Sequence, residues 1–368
     1  MSTEITELLY VTREPAWAPW AVQYFFLIGL SFGSFLLTLP GIAFGRDAWR
    51  PLGRAALLGA LACGLVAPVA LLSDLNQPGR FLNFYLHPAG SSWMAWGAFF
   101  IPAYVGTLVV YALVALAPDF GAAAMSGGPL APVRRLLSGP ARPRLLAVLG
   151  LVTLAAAFTV ALYTGVEVMV VRARPLWATA LLPWQFVATA LAGSIGLALL
   201  LARFALGMGS AIDALANRLL VLAALLVIAL GAAWFALAVL QPTGPEARAL
   251  AQVGGSSRWL TSAVWLGGAT VAALLIAVIR PVGSGWLTGL LALNAAWLFR
   301  WTIFVGGQDM PKTGAGLYAH PLALGPEGLL GIVGTAGLFL AVVVILTTLV
   351  PWSGSAEVAR PSTSPVGA

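Results

Sequence analysis

LGRAALLGALACGLVAPVALLS, residues 52–73, is a continuous apolar run rich in Leu and Ala, interrupted by one charge, Arg54. A strand of a membrane barrel would show strict alternation over about ten residues, and this run does not alternate. At about 1.5 Å per residue it is long enough to cross the hydrocarbon core of a bilayer as a helix. The polar sequence DLNQPGRFLNFY, residues 74–85, follows it at once.

The same reading extends in both directions. Apolar runs at 19–43, 93–117, 145–168, 184–208, 217–240, 258–279, 284–305 and 327–350 make, with 52–73, nine separated stretches. Each is about 32 to 38 Å long as a helix. Of the 368 residues, 60% are hydrophobic and 8% charged, where soluble domains carry about 25% charge. These features predict an all-α integral membrane protein of about nine transmembrane helices.

The expected organisation is a periplasmic segment 1–18, helices one to three within 19–117, and a solvent-facing cytoplasmic connector 118–144. Helix four follows at 145–168, helices five to eight within 184–305, a periplasmic loop at 306–326, helix nine at 327–350, and a flexible tail at 351–368. Pro19–Trp20 is echoed by Pro183–Trp184 four helices later, suggesting two four-helix bundles plus an additional C-terminal helix. Gly29 and Gly33, and Gly193, Ser194 and Gly196, are small-residue pairs suited to close helix packing.

The net charge of +7 and the 19 basic residues build no long basic arm, so nucleic acid is not an expected partner and membrane lipid is. Arg46 and Arg50, then Arg134, Arg135, Arg142 and Arg144, then Arg203 and Arg218, then Arg280 mark alternate links. The positive-inside rule then predicts a bacterial inner-membrane protein with its N-terminus periplasmic and its C-terminus cytoplasmic. Arg172 and Arg174 run against that rule. The N-terminus, with Glu4, Glu7 and Glu14, lacks the pattern of a cleaved signal, so the first run is expected to be a retained span.

Cofactor chemistry is narrowly bounded. Cys63 is the only cysteine, and the two histidines, His87 and His320, lie in links beside proline. Neither haem nor an iron–sulfur cluster nor another metal site is therefore expected in this chain. The only lysine is Lys312, and no phosphate-binding loop accompanies it. An electron-transfer role would need a diffusible membrane cofactor and a separate partner.

The chemically crowded links lie on the predicted outer face. An aromatic belt accounts for many of the Trp and Tyr residues there, but not for Asp74, Asn76 and Arg80. Pro78–Gly79 could fold Asp74 and Arg80 into an ion pair, which is compatible with ligand contact. Tyr163 and Glu167 share one helix face; Glu167 is either an interfacial carboxylate, in water or paired with Arg172, or a proton acceptor. Arg300 within an apolar run requires a partner, and Asp309 and Glu167 are the candidates. Gly306–Gly307 and Pro311, flanking Gln308, are expected to break the eighth helix. A transport path would instead need Arg203, Asp213, Arg218, Glu167 and Arg300 to line one route, and a purely structural anchor would need none of them.

PWAVQYFFLIGL at 19–30, APVALLSDLNQPGRFLNFY at 67–85 and SSWMAWGAFFIP at 91–102 resemble the NrfD/polysulfide-reductase family of membrane subunits. LYTGVEVMVVRARPLW at 162–177, RWTIFVGGQDMPK at 300–312 and GPEGLLGIVGTAGLFLA at 325–341 most resemble its tetrathionate-reductase branch. The resemblance implies a haem-free, non-catalytic subunit of a multisubunit oxidoreductase that exchanges electrons with menaquinol or ubiquinol near the periplasm. It further implies a periplasmic four-cluster iron–sulfur partner, a molybdopterin catalytic partner, and tetrathionate or a related sulfur compound as terminal substrate. Reverse flow would make the chain a quinone-reducing subunit of a dehydrogenase.

The family's Asp-Leu-x-x-Pro-x-Arg loop is met by Asp74, Leu75, Pro78 and Arg80. Its fourth-span Tyr corresponds to Tyr163. Tyr24, beside Gln23, stands where the polysulfide-reductase pattern has a His. The implied quinone-binding and proton-transfer set is Gln23, Tyr24, Asp74, Arg80, Tyr163 and Glu167, supported by Trp20, Asn76, His87, Arg300 and Gln308.

Overall fold

The computed structural model describes residues 17, 19–125, 127–310, 318, 320–350 and 352. Glu4, Glu7, Glu14, Pro311, Lys312 and the tail beyond 352 lie outside the described residues. Among those described, nine helices are long and apolar enough to cross a membrane, and the chain is an all-α, multi-pass membrane protein.

The spans are α1 (Pro19–Thr38), α2 (Arg50–Ser73), α4 (Trp93–Met125), α6 (Pro143–Met169), α7 (Leu182–Leu200), α8 (Asp213–Leu240), α10 (Ser257–Ile279), α11 (Gly285–Asp309) and α12 (Leu329–Leu349). Short helices α3 (Asn83–Leu86), α5 (Ala131–Leu137) and α9 (Pro245–Val253) occupy the links. Proline stands in the first turn of α2, α6 and α7, where its missing N–H has no intrahelical acceptor to lose.

The helices pack as two four-membered rings. In the first, α1 lies against α2, α2 against α4, α4 against α6, and α6 against α1; α7, α8, α10 and α11 repeat this order. The Pro–Trp echo therefore marks a structural repeat, and the two leading helices also end alike. A π-helical turn, Leu39–Ala43, extends α1, and another, Leu201–Ala205, extends α7. Each is followed by a glycine in the left-handed region, Gly45 at φ 68° and Gly207 at φ 63°, a conformation that a side chain disfavours. The rings meet where α1 packs on α7, and α12 leans on α1 and α2.

Glycines set close helix approaches, Gly33 between the rings (α1 on α7) and Gly196 within the second ring (α7 on α11). A Cβ on Gly33 would overlap the Ser194 hydroxyl, and one on Gly196 would come within 2.6 Å of the Gly289 carbonyl. This is the close packing that the small-residue pairs predict.

Two expectations are corrected. The 118–144 connector is partly helical, because α4 runs through Pro118 to Met125 and α5 follows. Two of its charged groups are engaged: Asp119 accepts from Arg54 at 2.6 Å, and Arg134 donates to the Thr348 and Leu349 carbonyls at the end of α12. Those carbonyls have no donor partner within their own helix, so the arginine supplies one. Nor do Gly306 and Gly307 break α11, which continues to Asp309. They admit indole rings: a Cβ on Gly306 would meet Trp259 at 3.1 Å, and one on Gly307 would overlap Trp177.

A candidate quinol site at the N-terminal end of the first ring

At the end where α1 begins, the first ring encloses a cavity of about 290 Å³. Four helix ends build it. Tyr24 comes from the second turn of α1, Asp74 and Asn76 from the turn after α2, Gly97 from the start of α4, and Tyr163 and Glu167 from the last turns of α6. Leu71, Met94 and Ile101 make its apolar side.

Three features give the cavity chemical capacity. The Tyr24 side chain is fully buried, and its hydroxyl has no hydrogen-bond partner. Glu167, one turn beyond Tyr163 on α6, interacts with the Tyr163 phenol, while its Oε2 is buried without a partner. An unpaired buried polar group is costly, so these atoms are free to bond to something that enters. Glu167 also lies within electrostatic range of both Tyr24 and Asp74.

Asp74 sits just past the end of α2, outside the spans. Burial, with the Glu327 carboxylate nearby, pushes its carboxyl up to about 7, against the downward pull of the Ala21 amide in the first turn of α1. Desolvation is the larger cause. Asp74 thus stands near the midpoint of its titration at neutral pH.

Of the residues singled out in the sequence, the fold brings together Tyr24, Asp74, Asn76, Tyr163 and Glu167. The others lie elsewhere. Gln23 is buried away from the cavity, accepting from Trp297 Nε1 at 2.7 Å and donating to the Ile332 carbonyl at 3.4 Å. It is one residue from Tyr24 and so points about 100° around the helix. Trp20 packs beside Gly331 on α12. Arg80 and His87 are exposed.

The Asp74–Arg80 ion pair does not form: among the described residues the ion pairs are Arg54–Asp119, Arg50–Asp47 and His320–Asp309. Asp74 turns instead to the free amide of Ala21, while the short Pro78–Arg80 helical turn leaves Arg80 outside. Glu167 does not pair with Arg172 either.

Arg300 has neither of its expected acidic partners. It is 1% exposed and donates to the Thr189 hydroxyl and, at 2.8 Å, to the Phe186 carbonyl on α7. Its guanidinium lies 4.8 Å from the Phe186 ring centroid and 5.6 Å from that of Phe299. Aromatic faces and neutral acceptors substitute for an anion here. Asp309 is taken by His320 Nδ1 at 2.8 Å.

The indole of Trp17 lines the cavity and belongs to the site, although in the sequence it is indistinguishable from a belt aromatic. It stacks on Trp177 at 5.2 Å and 17°, and Trp177 Nε1 donates to the Ile303 carbonyl at 2.6 Å. Arg174, whose charge runs against the topology rule, turns inward to the Gly307 and Met310 carbonyls at the end of α11. Gly97 is another lining residue not singled out: any Cβ there would overlap the Tyr163 phenol. Its position inside SSWMAWGAFFIP was the available signal.

Among the described residues no group of three or more His, Cys, Asp or Glu side chains converges as a metal site. The arrangement offers three phenols, Tyr24, Tyr85 and Tyr163, and two carboxyls around an apolar slot, which suits a flat ligand with oxygens to orient and protons to release.

Comparison with known proteins agrees with this architecture. Residues 11–312 match the family model described as polysulphide reductase, NrfD. A tetrathionate reductase subunit from Salmonella typhimurium is 32% identical over 348 residues, covering 93% of this chain and 94% of that protein. A selenate reductase subunit from Mesobacillus selenatarsenatis is 25% identical over 325 residues, covering 82% and 76%. With nine membrane-length helices in two repeated rings and a family match over most of its length, the chain belongs to the NrfD/polysulfide reductase family of membrane subunits.

Proposed function

We propose that the chain is the quinol-oxidising membrane anchor of a bacterial inner-membrane molybdopterin oxidoreductase, delivering electrons to a periplasmic iron–sulfur subunit. The observation that carries this reading is the convergence of Tyr24, Asp74, Tyr163 and Glu167 on one cavity, with the Tyr24 hydroxyl and Glu167 Oε2 unpartnered. The similarity to a tetrathionate reductase subunit favours tetrathionate or a related oxidised sulfur compound as terminal acceptor.

Bound quinol supplies two electrons and two protons. In this reading the chain's own residues orient its oxygens and take up the protons. The Tyr24 and Tyr163 phenols donate or accept hydrogen bonds to the ring oxygens, while Glu167 holds a proton at Oε2. Asp74, at the rim and near half-ionised at neutral pH, passes protons on to the solvent of the α1-starting end, which the arginine distribution assigns to the periplasm. The redox chemistry itself belongs to cofactors, and the chain contributes binding, proton acceptance and distance.

The test is single-turnover reduction of the iron–sulfur subunit by a quinol analogue in the purified complex. Tyr163→Phe and Glu167→Gln should each slow cluster reduction by about tenfold or more with the complex still assembled. Unchanged rates in both, or an assembly with no quinol-reducible cluster, would overturn the reading.

A further inference from the structure

The second ring holds its own cavity, of about 410 Å³, at the same end as the first. It sits where the repeat would put it. Gln185 near the start of α7, Phe235 near the end of α8, Trp259 at the start of α10 and Thr302 near the end of α11 line it, as the matching ends of α1, α2, α4 and α6 line the first.

What differs is the chemistry of the walls. Among the described residues, no Asp, Glu, Arg, Lys, His or Tyr lines the second cavity. Five residues after its leading proline, α1 carries Tyr24 whereas α7 carries Ala188. Thr270 and Thr302 spend their hydroxyls on the Leu266 and Leu298 carbonyls of their own helices. The slot therefore offers mostly hydrocarbon contact, its remaining polar groups being the Gln185 amide and the Trp259 indole N–H, which is buried without a partner. Among the described residues it has no titratable side chain to hold or move a proton, which argues against a second site of quinol oxidation. Its volume falls within the range of ligand pockets, roughly 300 to 1,000 Å³, and Phe235 and Val271 on its walls are exposed on the membrane-facing surface.

The charge at its end identifies the kind of amphiphile. The link joining α8 to α10, the two helices that wall the cavity laterally, carries Arg248, and Arg258 opens α10 beside the lining residue Trp259. Both arginines are exposed, and among the described residues neither belongs to an ion pair. Arg258 gives one guanidinium nitrogen to the His320 carbonyl at 2.9 Å and lies within electrostatic range of Asp309, with no carboxylate in direct contact among the described residues. Arginines at the membrane interface attract phosphate headgroups.

We propose that the second cavity is a resident-lipid site, holding an acyl chain of an anionic phospholipid whose headgroup lies at Arg248 and Arg258. The repeat thus gives one ring a polar cavity and the other a lipid-filled one. Gly231 on α8 and Gly267 on α10 form part of the wall, and a Cβ on either would meet nothing within 4 Å. Each position thus has open space for the first side-chain atom, from which a larger side chain can extend into the slot.

The experiment is lipid analysis by mass spectrometry of the intact purified complex after extensive detergent washing. The wild type should retain phospholipid enriched in anionic headgroups. Gly231→Leu, and independently Gly267→Leu from the facing helix, should lower retention by about tenfold while quinol oxidation continues. Gly106→Leu on α4, where a Cβ also meets nothing within 4 Å, should leave it unchanged. Arg248→Gln with Arg258→Gln should abolish the anionic preference. Retention of quinone in place of phospholipid, equal retention in wild type and both filled variants, or an unchanged headgroup preference in the arginine variant would each overturn the proposal. Phospholipid retention and headgroup preference are read independently of the first cavity, whose test is cluster reduction.

Discussion

Gln308 holds both backbone polar groups of Trp17: its Nε2 donates to the Trp17 carbonyl at 2.6 Å, and its Oε1 accepts from the Trp17 amide at 3.0 Å. A buried side chain near the end of α11 thereby fixes the residue that brings the chain into α1 and walls the first cavity. Replacing it with Ala would leave two backbone groups unsatisfied and free the Trp17 indole. Gln308→Ala should lower kcat/KM for quinol oxidation by about tenfold, equivalent to about 1.4 kcal/mol, in a complex that still assembles. Steady-state kinetics with a short-chain quinol would check this.

Asp74 gives the pH dependence. With its carboxyl raised to about 7, it is protonated and unable to accept a proton below that pH, and ionised above it. Quinol oxidation should therefore accelerate as pH rises from about 6 to about 8, and Asp74→Asn should be slow and flat across that range. A second consequence concerns stability. Because the folded value exceeds that of an unfolded Asp, the stabilising contribution is fully present below about pH 4 and lost as pH rises through about 7. Asp74→Asn should melt above the wild type at about pH 8, and the difference should vanish towards about pH 4. A thermal scan over pH reads this directly.

Gly97 packs against the far end of the Tyr163 ring, a group that can swing aside. Gly97→Ala should therefore fold, yet displace the phenol and weaken quinone-analogue binding by about tenfold, as if Tyr163 itself had been altered. Isothermal titration or inhibitor kinetics on the assembled complex would detect the change.

Arg300 is held by Thr189, the Phe186 carbonyl and two phenyl faces, with no carboxylate against it. Removing its charge strands no anion. Arg300→Met, similar in length, should melt at or above the wild type, following the behaviour of buried charges replaced by apolar groups. Arg300→Ala should lose stability by about 2 to 5 kcal/mol through the cavity it opens. A melting curve in detergent separates the two.

The sequence carried the spans to within a few residues, except the end of α4, which runs on to Met125, because hydrocarbon imposes one solution on a long apolar run: a helix that satisfies its own backbone. It also carried Tyr24, Asp74, Asn76, Tyr163 and Glu167, since polar groups at the ends of apolar helices are conspicuous. The role of Trp17 was hidden because an indole at a helix entrance looks the same whether it faces lipid or a cavity. Gln23 shows the converse: a one-residue step around α1 turns a polar side chain from the cavity to Trp297.

Composition and the order of apolar runs thus determined the fold class, the approximate spans and the scarcity of ligands for metals, all of which depend on transfer of side chains between water and hydrocarbon. Only the tertiary structure decided which helix faces meet. It released Arg80 to solvent, gave Arg300 aromatic neighbours in place of an acid, carried α11 through its glycines, and placed two cavities of opposite chemistry in repeated positions. Those outcomes depend on side-chain direction and on contacts between residues far apart in the chain, such as Trp17 and Gln308, and no local pattern of residues encodes them.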